Sequence, residues 1–181
     1  RRRELSDKVE KVGKGFETAG KALTPLSAGV AALGAGAAAS WSEMDEAYDS
    51  IAKGTGATGD ALKELQDIGD EVFTSLPVSA EAMGAAIADI NTRFGLTGDA
   101  LQTASEQFLK FAEVNNSDVS TSIENVQKAM ADAQIPAEEL GRMLDTLTAV
   151  SQASGMSTDD LASAVQKNGV AMREMGYSTE E

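Results

Sequence analysis

The chain has neither cysteine nor histidine. Without cysteine it can build no disulfide framework, thiolate nucleophile or cysteine-ligated zinc. Without histidine it loses the commonest general base and the commonest metal ligand together. Most hydrolase and metalloenzyme schemes are thereby deprived of their central residue, and the sequence implies neither a catalytic site nor a bound metal or cofactor. Proline is scarce, at three residues, and aromatic side chains make up only 4% of the chain. Apolar content comes instead from Ala, Leu, Val, Ile and Met, which suits close helix packing better than sheets. The expected fold class is all-α: an array of short helices joined by Gly/Ser/Thr caps, preceded by a longer N-terminal helical arm.

Positive charge is also in short supply. Twenty-nine acidic side chains face 15 basic ones, a net charge of −14 over 181 residues. The imbalance is uneven, because residues 1–21 hold seven Lys/Arg against four Asp/Glu, so residues 22–181 carry −17. That body opposes binding to nucleic acid phosphates and to anionic lipid. The expected division is therefore a region 1–40, with a basic amphipathic helix and an Ala/Gly-rich helix, and an acidic helical module 41–181. Both ends read as cut: the chain opens on Arg1-Arg2-Arg3 without an initiator Met, and it closes on a pattern that elsewhere starts a helix.

In residues 4–21, Leu5, Val9, Val12 and Phe16 recur at spacings of four and three, one apolar stripe for a partner. Thr24 and Pro25 form an N-cap with proline at the first helical position, opening a helix that is expected to run through Trp41 towards Lys53. Ala22 to Ser42 carries no charge and is just long enough to span a bilayer. Its glycines, alanines and hydroxyls supply little transfer energy, so helix packing through small residues is the better reading, with membrane contact as the alternative. Trp41 stands where this helix meets an acidic run. It joins Leu5, Val9, Val12 and Phe16 as a candidate interface residue, since tryptophan is favoured at hot spots.

From Gly56 onward the chain repeats one joint: Gly56-Ala57-Thr58-Gly59-Asp60, Gly95-Leu96-Thr97-Gly98-Asp99, Gly155-Met156-Ser157-Thr158-Asp159 and Gly176-Tyr177-Ser178-Thr179-Glu180. Each reads Gly, apolar, Ser/Thr, any, acid. Gly suits the left-handed residue that ends a helix, Ser/Thr the N-cap of the next, and the acid favours its positive end. The apolar residue also has an apolar partner five positions on, as a hydrophobic staple requires: Ala57/Leu62, Leu96/Leu101 and Met156/Leu161, with Val78/Met83 and Ile135/Leu140 repeating the spacing without the glycine. Helix starts are expected near residues 58, 79, 97, 118, 136, 157 and 178, and the Asn115–Asp118 turn is the least regular joint. Between joints, apolar residues such as Leu65, Ile68 and Val72, or Leu140, Leu144 and Leu147, keep helical spacing and mark core faces. Joints this short lead one to expect successive helices folded back on one another. The repeat lies in the joints and not in whole helix sequences, which argues against a true solenoid.

The carboxylate pairs Glu138-Glu139 and Asp159-Asp160 sit in first turns, where the helix dipole alone accounts for them. Gly54–Gly59 lacks both the preceding strand and the Gly-Lys-Ser/Thr ending of a phosphate loop. Asn115–Asp118 lacks the ligand ladder of a calcium hand.

The order of segments carries a resemblance. Lys11–Phe16 and Gly20–Leu26 lead into the Ala/Gly helix, then come Trp41–Asp45, Thr55–Leu65, Leu76–Met83 and Gly155–Leu161. This series resembles the core region of phage tail tape measure proteins, over nearly the whole chain. The resemblance implies a parent that lies in the tail lumen, sets tail length and leaves during DNA ejection. Implied partners are other tail proteins (tube, tip and assembly chaperones), with localisation in the virion tail and, during assembly, the host cytoplasm. Tape measure chains are long rods, whereas this stretch breaks about every twenty residues; the ruler is therefore expected elsewhere in the parent, and this module near one end, docking on tip or assembly proteins. Self-association is also expected, because the stripe on 4–21 needs a partner. Two other classes stand against this reading: a module that inserts its Ala/Gly helix into membranes, and an enzyme domain of the muralytic kind sometimes joined to such chains.

Overall fold

A computed structural model describes residues 41–174, and the side chains of 42–168. The candidate interface residues Leu5, Val9, Val12 and Phe16, the Ala/Gly helix before Trp41 and the joint at 176–180 lie outside the described residues, as does the side chain of Trp41. Within them the chain is all helical: α1 (Trp41–Thr55), α2 (Gly59–Ser75), α3 (Ala80–Phe94), α4 (Gly98–Asn115), α5 (Val119–Ala133), a short 3-10 turn (Ala137–Glu139), α6 (Leu140–Ser154) and α7 (Thr158–Glu174). No strand occurs among the described residues.

The joints end helices as the sequence predicts. Gly56, Gly95 and Gly155 take positive φ of 70°, 68° and 73°, where a Cβ would be strained. Each N–H donates to the carbonyl four residues back, on Ala52, Asn91 and Ser151. Helix starts are more varied. Ser79 and Asp118 cap through their side chains, onto the N–H groups of Ala82 and Thr121. Ser157 and Asp160 cap each other reciprocally: the Asp160 N–H donates to Ser157 Oγ at 3.1 Å and that hydroxyl to the Asp160 carboxylate at 2.8 Å. Thr58 and Thr97 occupy the N-cap position without a side-chain bond. There the next residue is Gly59 or Gly98 with φ of 60° or 55°, and this left-handed turn accompanies the uncapped hydroxyl.

Three joints lack glycine; Leu76–Ser79 stays extended, and the other two force non-glycine residues into the left-handed region. Asn116 (φ 49°) and Gln134 (φ 57°) each sit in a pair of bonds that closes the helix, Ser117 N–H to Ala112 O with Asn116 N–H to Glu113 O, and Ile135 N–H to Met130 O with Gln134 N–H to Ala131 O. After Pro136, one 3-10 turn intervenes before α6, so the α-helix opens at Leu140 and not at 136. The staple residues Ala57, Leu96, Val78 and Ile135 pack against the core, but Met156 remains 45% exposed.

Successive helices do pack on one another, α3 on α4 most extensively, but the packing adds a second relation that the short joints do not announce. The most extensive interfaces join helices two apart, α1 with α3 and α5 with α7, and α3 with α5, α2 with α4 and α4 with α6 continue the series. The odd helices thus form one layer and the even helices another. Each of these five pairs is tied by a side-chain hydrogen bond: Thr92 to the Gly54 carbonyl, Ser75 to Glu106, Arg93 to Glu124, Asn115 to Thr148, and Asn125 to Asp159. The repeat is regular as well. Even-layer segments open at Gly59, Gly98 and Ala137, and odd-layer helices at Ala80, Val119 and Thr158, in both cases 39 residues apart. The molecule is therefore a two-helix repeat array, solenoid-like after all, whose period is hidden because different residues perform the same structural role in each unit.

Small residues explain the tight α1–α3 contact. A Cβ built on Gly84 would lie 2.9 Å from the Ala47 carbonyl oxygen and 3.1 Å from its Cα, and one on Gly54 would lie 2.8 Å from the Ala88 Cβ. Between the layers, Val72, Met83, Ile87, Ile90, Leu101, Phe108, Phe111, Ile123 and Val126 are almost wholly buried. Each such side chain contributes about 1.5–3 kcal/mol of burial. Phe94 and Phe108 lock α3 to α4 with ring centroids 5.8 Å apart.

Candidate interaction surface

The chemistry-bearing residues singled out in the sequence prove to be parts of the scaffold. Glu138 is exposed, and Glu139 pairs with Arg142 at 3.4 Å. Asp159 accepts from Asn125 at 3.0 Å, tying α5 to α7, while Asp160 belongs to the Ser157 cap. Asn115 donates to the Phe111 carbonyl and to Thr148. Asp118 is held below the usual carboxylate range by the Thr121 backbone N–H. Tyr48 is pushed up to about 12 by burial and by its hydrogen bond to Asp70, so it remains a neutral donor fastening α1 to α2. No group of three or more acidic, histidine or cysteine side chains converges as a metal site among the described residues. No described helix is long and apolar enough to cross a membrane.

Two surfaces remain. The first is a cleft of about 360 Å³ between α2 and α4, walled by Asp60, Glu64, Asp67, Glu71 and Asp99 over Ile68. Its lysine, Lys63, is paired with Asp67 at 2.6 Å. The cleft gives this edge of the array an acidic face and nothing that would hold an anion.

The second surface is a groove of about 610 Å³ at the far end of the array. One wall is α6, through Met143, Thr146, Leu147 and Val150; the other is α7, through Leu161, Ala164 and Val165; Ile135 and Pro136 close it. Val150, Leu161 and Val165 have the spacing of core residues but are only half-buried. Sequence periodicity marks them as a helix face that needs covering and cannot say that the cover is absent among the described residues. Arg142 and Glu139 stand at the rim. Burial alone pushes the neighbouring Asp145 carboxyl up from its ordinary value. Its walls are apolar and its rim carries charge, the composition that docking surfaces share.

Trp41 opens the described part of α1, at the opposite end of the odd layer from this groove, so the structure does not join the one sequence-predicted interface residue it reaches to the groove.

Comparison with known proteins gives one result. A family model described as "Phage-related minor tail protein" matches residues 66–181, more than half of the chain, from the middle of α2 to the end. Neither the curated proteins nor the solved structures contain a match.

Proposed function

The chain belongs to the phage-related minor tail protein family and so has a structural role in the phage tail, and from that premise we propose that it is a module of a tape measure protein, acting in tail assembly, tail length determination and passage of DNA at ejection. The ordered series from Lys11 to Leu161 that resembles tape measure cores supports the finer reading, because the family match covers only its later part.

Within such a protein the module is a docking body and not the ruler. The observation that carries this is the helix length: no described helix exceeds 18 residues, about 27 Å, before a joint turns the chain into the other layer. A ruler needs a helix that continues. A folded array with an acidic face, an open groove and interhelix clips serves instead to hold partners, and those partners are other tail proteins: tube, tip or assembly chaperones, together with further copies of this chain. It does so without catalysis, in the host cytoplasm as tails are built and then in the virion. The strongly negative surface keeps nucleic acid from adhering to it.

In-frame deletion of residues 59–168 from the phage gene, followed by electron microscopy of the tails, separates the two roles. Loss of a docking body blocks assembly or yields tails of unregulated length. Loss of 110 residues of ruler would instead shorten every tail by about 165 Å. Uniform shortening of that size would overturn the docking role.

A further inference from the structure

The groove between α6 and α7 is selective about the kind of chain that can fill it. Along α6 its lining runs from Arg142 to Val150, about 12 Å or two helical turns, and the apolar wall residues Met143 and Leu147, like Leu161 and Val165 opposite, are four apart. An extended peptide laid there would turn its own N–H and C=O groups towards apolar walls, and the described residues offer no strand edge to pair with them. A helix satisfies its backbone internally and sets its side-chain ridges between those of the two walls. Shape therefore favours a helix with a single apolar stripe.

Charge narrows the choice. The stretch that builds the groove, residues 137–168, carries five acidic side chains against Arg142 and Lys167. One of the five is unpaired beside the groove: Asp145 lies on α6 between the lining residues Arg142 and Thr146, and it has no hydrogen bond or ion pair among the described residues. Arg142, one turn back, reaches Glu139 instead. Asp145 is half-buried, and that burial, with no cation beside it, is what raises its carboxyl. A second copy would bring a body of charge −17 to this rim, so charge disfavours it as the occupant. Building on the docking-body reading, we propose that the groove between α6 and α7 receives an amphipathic helix of another tail protein, its apolar stripe lying between Met143 and Val165 and a lysine or arginine on its flank pairing with Asp145.

The test uses the whole 181-residue chain and a labelled synthetic peptide of about 18 residues, long enough to hold a helix, with a leucine stripe and lysine on both flanks. Fluorescence anisotropy reads its binding. The striped peptide should bind about tenfold tighter than the same residues reordered so that the stripe is lost. Ala164→Arg, which fills the groove from the α7 wall with bulk and like charge, should weaken binding by about tenfold while leaving helix content by circular dichroism unchanged. Asp145→Asn should weaken it by about threefold, and Asp145→Lys should shift preference to a peptide flanked by glutamate. Glu64→Gln, in the acidic cleft between α2 and α4, should change nothing, which separates seating from a general attraction to an acidic chain. Equal binding of the reordered peptide, indifference to Ala164→Arg, or equal losses from Glu64→Gln and Asp145→Asn would each overturn the proposal. So would self-association of the chain that Ala164→Arg abolishes, which would give the groove to a second copy. None of these results alters what the tail deletion shows, so a docking body that works through another surface stays distinguishable from a stretch of ruler.

Discussion

Gly84→Ala should destabilise the array even though alanine is the better helix former. Gly84 lies in the interior of α3, where replacing glycine by alanine ordinarily gains about 1 kcal/mol. The new Cβ would sit 2.9 Å from a backbone oxygen, that of Ala47, and 3.2 Å from the Ala47 Cβ, so no rotamer change relieves the contact and α1 must move. Overpacking of this kind costs about 1–3 kcal/mol, and at a rigid backbone contact the upper half of that range applies. The balance is a loss of about 1–2 kcal/mol, or about 2–8 °C in Tm for a chain of this size. Gly141→Ala is the control. Its Cβ would meet the amide end of Gln107 at 2.9 Å, a flexible side chain that can turn away, so the propensity gain survives and stability should rise by about 0.5–1 kcal/mol. Urea unfolding of the two variants beside the parent reads both signs. If Gly84→Ala stabilises to the same extent as Gly141→Ala, the small-residue contact between α1 and α3 is not close, and the explanation of the odd layer fails.

Other substitutions test separate parts of the fold. Ser105 Oγ is fully buried with no hydrogen-bond partner among the described residues, so Ser105→Ala should raise stability by about 1 kcal/mol in the same unfolding assay. Gln134→Gly relieves a non-glycine left-handed residue and should stabilise by about 1 kcal/mol, whereas the same change at exposed Gln152, inside α6, should destabilise by about as much. Asp118→Ala removes the α5 cap and should cost about 1 kcal/mol at neutral pH. The Asp118 carboxyl is lowered in the folded chain, so its stabilisation is complete above the unfolded value of about 3.9 and disappears as pH falls through the folded value. Asp118→Ala and the parent should therefore converge in strongly acidic solution, and a difference that stays constant with pH would show that the charge is not what caps α5.

The helix boundaries were legible because glycine at a left-handed position leaves a mark that burial cannot override: Gly56, Gly95 and Gly155 each stop a helix where the joint motif places the stop. Gln134 could not be read in this way. Its left-handed conformation is imposed by the Ile135–Met130 closure and the packing that follows, and nothing in glutamine announces it. Likewise Thr58 and Thr97 read as capping hydroxyls, and only the backbone reveals that Gly59 and Gly98 are the residues the turn requires. Core faces could be read from spacing, as at Ile123, Val126 and Met130, but which helix covers which face could not. That choice rests on Ala47, Gly54, Gly84 and Ala88, small residues that are inconspicuous in an alanine-rich chain until two backbones are seen to meet there. The groove was hidden for the converse reason. Leu161 and Val165 have the same periodicity as buried residues, and periodicity is blind to a missing neighbour.

The central claim is that this region is a folded docking body near one end of the tail and not a stretch of extended ruler. The direct measurement is the position of a label attached in the Gly155–Ser157 joint, mapped along purified tails by electron microscopy. A docking body places the label in a tight cluster at one end of the tail in every particle. A label found midway along the lumen, in register with a continuous rod, would contradict it.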